Sequence, residues 1–117
     1  MKTVLGDIRN EALLKLGQAM AAEVVARCVE AAARQAGCPW REIMGPTRGS
    51  PRAARGRVVA MLACVKMGVS PRMTARAFGR SRRAVCDAMA TGRPGRARRD
   101  AAVMQDFEEV MGRIGKI

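Results

Sequence analysis

The sequence predicts an all-α protein: a helical bundle containing a helix-turn-helix, with a long N-terminal helix and an amphipathic C-terminal helix. Three observations lead there. The apolar residues, 49% of the chain, are dominated by Ala, Val, Met and Leu, with two Phe, one Trp and no Tyr. Strands favour β-branched and aromatic side chains, whereas Ala, Leu and Met favour helix. Apolar residues also recur at steps of three and four, the spacing that lines one side of a helix, and Gly and Pro mark the gaps between those stretches. The 117 residues fit one domain, 1–117, since domains most often run about 100–150 residues.

The first helix is expected over 10–36. Asn10 is its N-cap, and Glu11 stands favourably in its first turn. Leu13, Leu16, Met20, Val24, Cys28 and Ala32 form one stripe. The stripe reads as core, with pairing to a partner helix as the alternative. Gly17 weakens the helix and marks a break or a close helix crossing. Gly37 ends it, with Pro39 just beyond.

Residues 39–69 hold a short helical turn, a basic loop and a second helix. Trp40 and Ile43 are expected to face inward. Gly45-Pro46-Thr47-Arg48-Gly49-Ser50-Pro51-Arg52 is a loop by its Gly and Pro content. It carries Arg48 and Arg52, with Arg55 and Arg57 just behind. From Ala53 to Met67, the residues Val58, Met61, Leu62 and Val65 give a helical stripe that Gly68 closes.

Residues 70–90 have helix-turn-helix spacing. Ser70 is a natural N-cap and Pro71 suits the first helical position. A short helix follows to about Phe78. Gly79 breaks it, because a tight turn needs a residue that tolerates positive φ. Ser81 caps a second helix running to about Met89. Ala75 lets the two helices approach, Gly79 follows four residues later, and Val85 comes six after that to pack one helix on the other. Phe78 and Ala88 extend the buried side. Ser81, Arg82, Arg83, Cys86 and Asp87 then point away from it. A solvated face with an Arg82/Asp87 or Arg83/Asp87 pair is the bland alternative.

Residues 91–99 read as a basic loop, a phosphate track or a flexible linker. Asp100 is expected to cap the last helix, 100–114. Val103, Met104, Phe107, Val110, Met111 and Ile114 line one side of it, to cover the core or pair with a partner.

Charge is the strongest compositional signal. Twenty-two Lys and Arg against ten acids leave +12. From Arg41 to Arg99 there are fifteen basic residues and two acids, Glu42 and Asp87, so this segment alone carries +13. Such a field attracts polyanions, nucleic acid first. Arg outnumbers Lys eighteen to four, which speaks of genome bias but does not explain the segregation. RNA is disfavoured, because single-stranded recognition leans on aromatic stacking and this chain has three aromatics.

Enzymatic chemistry has little to work with. The chain has no His, the commonest general base and metal ligand. Cys28, Cys38, Cys64 and Cys86 form no CxxC pair, so no metal is expected. They read as small apolar side chains in a reducing cytoplasm. No apolar run reaches the roughly 18 residues that span a bilayer, and residues 1–10 lack a signal-peptide core. No cofactor is implied.

The run from Trp40 to Met89 resembles the C-terminal DNA-binding domain of the bacterial replication initiator DnaA, a helix-turn-helix domain of the Trp-repressor-like superfamily. The likeness covers roughly 24–90. It rests on the turn Glu42-Ile43-Met44-Gly45, the basic loop at Arg48, and the helix Arg57-Val58-Val59-Ala60-Met61-Leu62-Ala63. It rests also on Ser70-Pro71-Arg72-Met73-Thr74-Ala75-Arg76-Ala77-Phe78-Gly79. The initiator's Asp-His-Thr-Thr signature is absent, and Gly79 is followed by Arg80-Ser81-Arg82-Arg83-Ala84. The resemblance therefore implies a reused DNA-binding module, not an origin-melting initiator. Similar modules occur in phage-derived regulators, including activators of gene transfer agents.

The resemblance implies a double-stranded DNA partner. The basic loop would enter the minor groove and the second helix the major groove. By resemblance, Arg48 and Arg52 would make the minor-groove or phosphate contacts, Ser70 and Arg72 would meet the backbone, and Arg82 and Arg83 would read bases. The basic segment itself adds Arg55, Arg80, Ser81 (to phosphate) and Asp87 (to orient an arginine or accept from cytosine) as DNA-binding candidates. The expected function is sequence-specific transcriptional regulation at the bacterial nucleoid. The alternative is a protein-interaction module, for RNA polymerase or a phage packaging partner, with non-specific DNA affinity. A homodimer through the amphipathic helices is left open.

Overall fold

The computed structural model describes residues 4–47, 49–89 and 97–115. Among them are six helices and no strand: α1 Val4–Ala36, α2 Trp40–Met44, α3 Pro51–Lys66, α4 Pro71–Phe78, α5 Arg82–Met89 and α6 Ala97–Gly115. The all-α helical bundle follows as expected. None of the described helices is long and apolar enough to cross a membrane.

α3 is the central rod. Ser50 caps it by accepting from the Ala53 amide, and Pro51 opens it, so it begins two residues before the expected start. Small residues make its surface smooth: Ala53, Ala60, Ala63 and Cys64 are all fully buried. α1 lies along one side, α6 along another, and α4–α5 close the end. Gly56 sets the closest approach. A Cβ there would meet Ile43 Cδ1 at 3.1 Å and Ala36 Cβ at 3.2 Å, so any larger residue would make α1 and α2 give by a few tenths of an ångström.

α1 departs from expectation in three ways. It starts at Val4, so residue 10 lies inside it and not at its cap. Asn favours a cap but does not impose one, and no proline interrupts the preceding turn. The helix also runs unbroken through Gly17, where a Cβ would meet nothing within 4 Å. There is thus neither a break nor a crossing within the chain. Finally, the apolar stripe is core only in its second half. Cys28 and Ala32 are buried, whereas Leu13, Leu16 and Met20 are 66%, 57% and 63% exposed. Among the described residues, α3 and α6 cover only the later part of α1.

Ile43 of α2 is fully buried, but Trp40 is half-exposed, with the Arg41 guanidinium 5.5 Å over its ring. Trp40 opens a single helical turn whose inward side Ile43 already fills. α6 begins at Ala97. Residues 97–99 therefore belong to a helix, not to the expected loop, and residue 100 is past the cap. Residues 90–96 of that loop lie outside the described residues. Phe107, Val110 and Ile114 bury the side of α6 that the periodicity marked, and this helix covers the core.

Candidate nucleic-acid interface

The helix-turn-helix is built from local signals. The Ser70 hydroxyl accepts from the Met73 amide at 3.2 Å, and Pro71 follows in the first turn. α4 ends at Gly79, which stands in the left-handed region at φ 59°. The Arg80 amide then closes the turn on the Ala75 carbonyl at 3.0 Å, a pattern typical of a glycine-terminated helix. Ser81 starts α5 by accepting from the Ala84 amide at 3.2 Å. Ala75, Phe78, Val85 and Ala88 are all buried and lock α5 to α4 and α3.

That packing decides what α5 shows outside. Arg82, Arg83, Cys86 and Asp87 are exposed, and Ser81 precedes them at the start of the helix. With Val85 and Ala88 turned inward, the helical period places Arg83 and Cys86 at the middle of the outer face and Arg82 and Asp87 at its edges. Both serines spend an acceptor lone pair on capping and keep the O–H as a donor.

The other basic candidates go to different places. Arg80 Nη2 donates to the Gly45 carbonyl at 2.7 Å and to the Thr47 carbonyl at 3.1 Å, and Nη1 to the Phe78 carbonyl at 3.3 Å. Its guanidinium ties the basic loop to the helix-turn-helix. Arg55 pairs with Asp106 of α6 at 2.5 Å and donates to the Ala102 carbonyl at 3.1 Å. Arg55, Arg80 and Asp87 all line one cleft of about 540 Å³ between α3, α5 and α6. Arg52 is exposed but borders the cleft that α3 makes with α1 and Asp106. Arg72 lines the groove between α4 and α1 together with Arg76. Arg48 lies outside the described residues.

Arg57 is the residue that sequence reasoning passed over. It is 6% exposed, among the buried small and apolar residues of α3. Nε donates to the Ile43 carbonyl at 2.7 Å, and Nη2 to the carbonyls of Glu42 at 2.9 Å and Thr47 at 3.1 Å. The Glu42 and Ile43 carbonyls are ones that the short helix α2 leaves without intrahelical donors, and the Thr47 carbonyl belongs to the loop after it. Burial lowers the Arg57 pKa below its ordinary value, and the nearby Arg80 lowers it further. Two guanidiniums thus converge on the Gly45–Thr47 backbone and set the loop's path beside α5. The available signal was position: Arg57 falls in helical step with the buried residues Ala53, Ala60, Met61 and Cys64, and an arginine on a buried side seldom stays there without partners.

Cys28 and Cys64 meet in the core, where the thiol–thiol hydrogen bond and burial push Cys64 up. Cys38 is half-buried, and burial, then Glu42, raises its pKa. Cys86 is exposed on α5. The expectation of four apolar packing cysteines therefore holds for two. Among the described residues no group of three potential metal ligands comes together. No protein-family model, curated protein or solved structure matches the chain.

Proposed function

We propose that this protein is a sequence-specific double-stranded DNA-binding transcriptional regulator. The observation that carries the reading is the outer face of α5. A helix locked by Val85 and Ala88 presents Arg82 and Arg83 at its beginning, inside a segment of net charge +13. Recognition helices meet base edges with their N-terminal residues, and Arg pairs with guanine through two hydrogen bonds at once. Arg82 and Arg83 are the base readers in this proposal. Asp87 orients an arginine or accepts from cytosine. Ser70, Ser81 and Arg72 hold phosphates. The resemblance to the replication initiator's domain assigns Arg48 of the loop and Arg52 of the first turn of α3 to the minor groove, and Arg57 and Arg80 hold the Gly45–Thr47 backbone that precedes them.

The test is selection from a random duplex pool at physiological salt, with the Arg82→Ala/Arg83→Ala variant in parallel. A recovered motif that the variant loses supports the proposal. Each substitution should cost about 1–3 kcal/mol on the selected site and little on random DNA. If about six phosphates are neutralised, log K falls with log salt at a slope of roughly −5. Equal losses on selected and random DNA would remove the reading role from α5. Recovery of no motif would favour the second reading, a protein-interaction module with non-specific DNA affinity, which the uncovered apolar half of α1 motivates.

A further inference from the structure

The first half of α1 is a free amphipathic rod. Every described side chain from Ile8 to Met20 is exposed, and burial begins at Ala21. Residues 4–20 make about 25 Å of helix at 1.5 Å per residue in a molecule 55 Å long and 29 Å across. Leu13, Leu16 and Met20 share one side of it, in line with Val24 and Cys28 of the core. At its base lies an open groove of about 840 Å³. Leu13, Gly17, Met20, Val24, Met67 and Met73 line that groove, and Arg72 and Arg76 stand beside them.

We propose that this surface is covered by a second copy of the chain, with the two α1 helices crossing antiparallel near Gly17. The argument is self-complementarity. The rod and the groove adjoin on one molecule, so a two-fold axis beside residues 16 and 17 lays each rod into the other copy's groove. Large then meets small: Leu16 falls level with Gly17 of the second copy, and Leu13 with Met20. Glycine in that place lets two helices approach closely, and among the described residues nothing uses the space, since a Cβ at Gly17 meets no atom within 4 Å.

Charge agrees with the same occupant. Residues 4–24 carry two basic and three acidic residues in a chain of +12, so two strongly basic molecules meet where they repel least. A rod of this length seated in a groove covers on the order of 800 Å² on each partner, the usual size of a stable interface. The contact is isologous, as closed two-fold pairs require. The inference does not depend on the DNA reading.

The test is light scattering and sedimentation of the full chain across the micromolar range, without DNA. A dimer is expected for the native sequence. Leu16→Glu and Gly17→Leu should each weaken it by about 100-fold or more, as loss of a central anchor does. Both should keep the far-UV helicity, because Leu16 is 57% exposed and a Cβ at Gly17 meets no described atom within 4 Å. A strict monomer would overturn the proposal. So would a dimer that either variant leaves intact, since that dimer would use another surface. Arg82→Ala/Arg83→Ala should not change the mass at all, so failure here and failure of the DNA reading are separable.

Discussion

Replacing Arg57 by Met removes the guanidinium while keeping a stem of similar bulk. Arg57 is 6% exposed, so little of its environment can be rehydrated in place. Three carbonyls lose a charge-assisted donor: Ile43, Glu42 and Thr47. The bond to Ile43 is buried, and an unmade buried acceptor costs about 1–3 kcal/mol. The bonds to Glu42 and Thr47 are part-buried, so water recovers some of each, leaving about 0.5–1 kcal/mol apiece. Relief of the buried charge offsets part of the sum. The net expectation is a loss of about 2–4 kcal/mol. For 117 residues the unfolding entropy is about 0.25 kcal/mol per degree, so the midpoint should fall by about 8–16 °C.

Thermal and urea unfolding followed by far-UV circular dichroism measures this. Arg57→Lys should fall in between, because it keeps the charge and loses the planar fork. Arg80→Met and the double variant complete a cycle. Both guanidiniums serve the Thr47 carbonyl, so the two losses should not add. An Arg57→Met protein within 0.5 kcal/mol of the native one would refute the claim that this arginine braces the loop.

Three further outcomes follow from the packing. Thr74 is fully buried, and its hydroxyl has no hydrogen-bond partner among the described residues, so Thr74→Val should raise stability by about 1 kcal/mol in urea unfolding. Gly56→Ala should lower stability by about 1–3 kcal/mol in the same assay, since its Cβ would press on Ile43 and Ala36, outweighing the roughly 1 kcal/mol gain in helix propensity. A thiol-reactive dye should label Cys86 first and Cys38 more slowly. Cys28 and Cys64 should react only on unfolding, because both are buried and Cys64 holds its proton tightly. Labelling of the core pair at the rate of Cys86 would contradict their placement.

The helix-turn-helix was legible in the sequence because its signals are local. Ser70, Pro71, Gly79 and Ser81 act on amides within a turn of themselves, so their meaning does not depend on the rest of the chain. The buried set Ala75, Phe78, Val85 and Ala88 was legible for the same reason, as was the inward side of α6. Helix starts were less so. Asn10 and Asp100 are good cap types, yet α1 and α6 begin earlier, because a favourable cap is one choice among several.

Composition, spacing and local turn signals settle the class of structure: helices, their turns, the side of each that is apolar, and one segment that carries the whole net positive charge. Only the tertiary structure decided what each side meets. One periodic stripe on α1 is core at Cys28 and surface at Leu16, because periodicity reports which residues share a face and not whether another helix lies against it. Charge divides in the same way. Arg80 reaches a carbonyl 35 residues back and Arg55 a carboxylate 51 residues on, while Arg82 and Arg83 stay exposed on α5. An arginine has a long stem and five donors, so its role rests on whichever oxygens the fold brings within reach, and those come from distant parts of the chain.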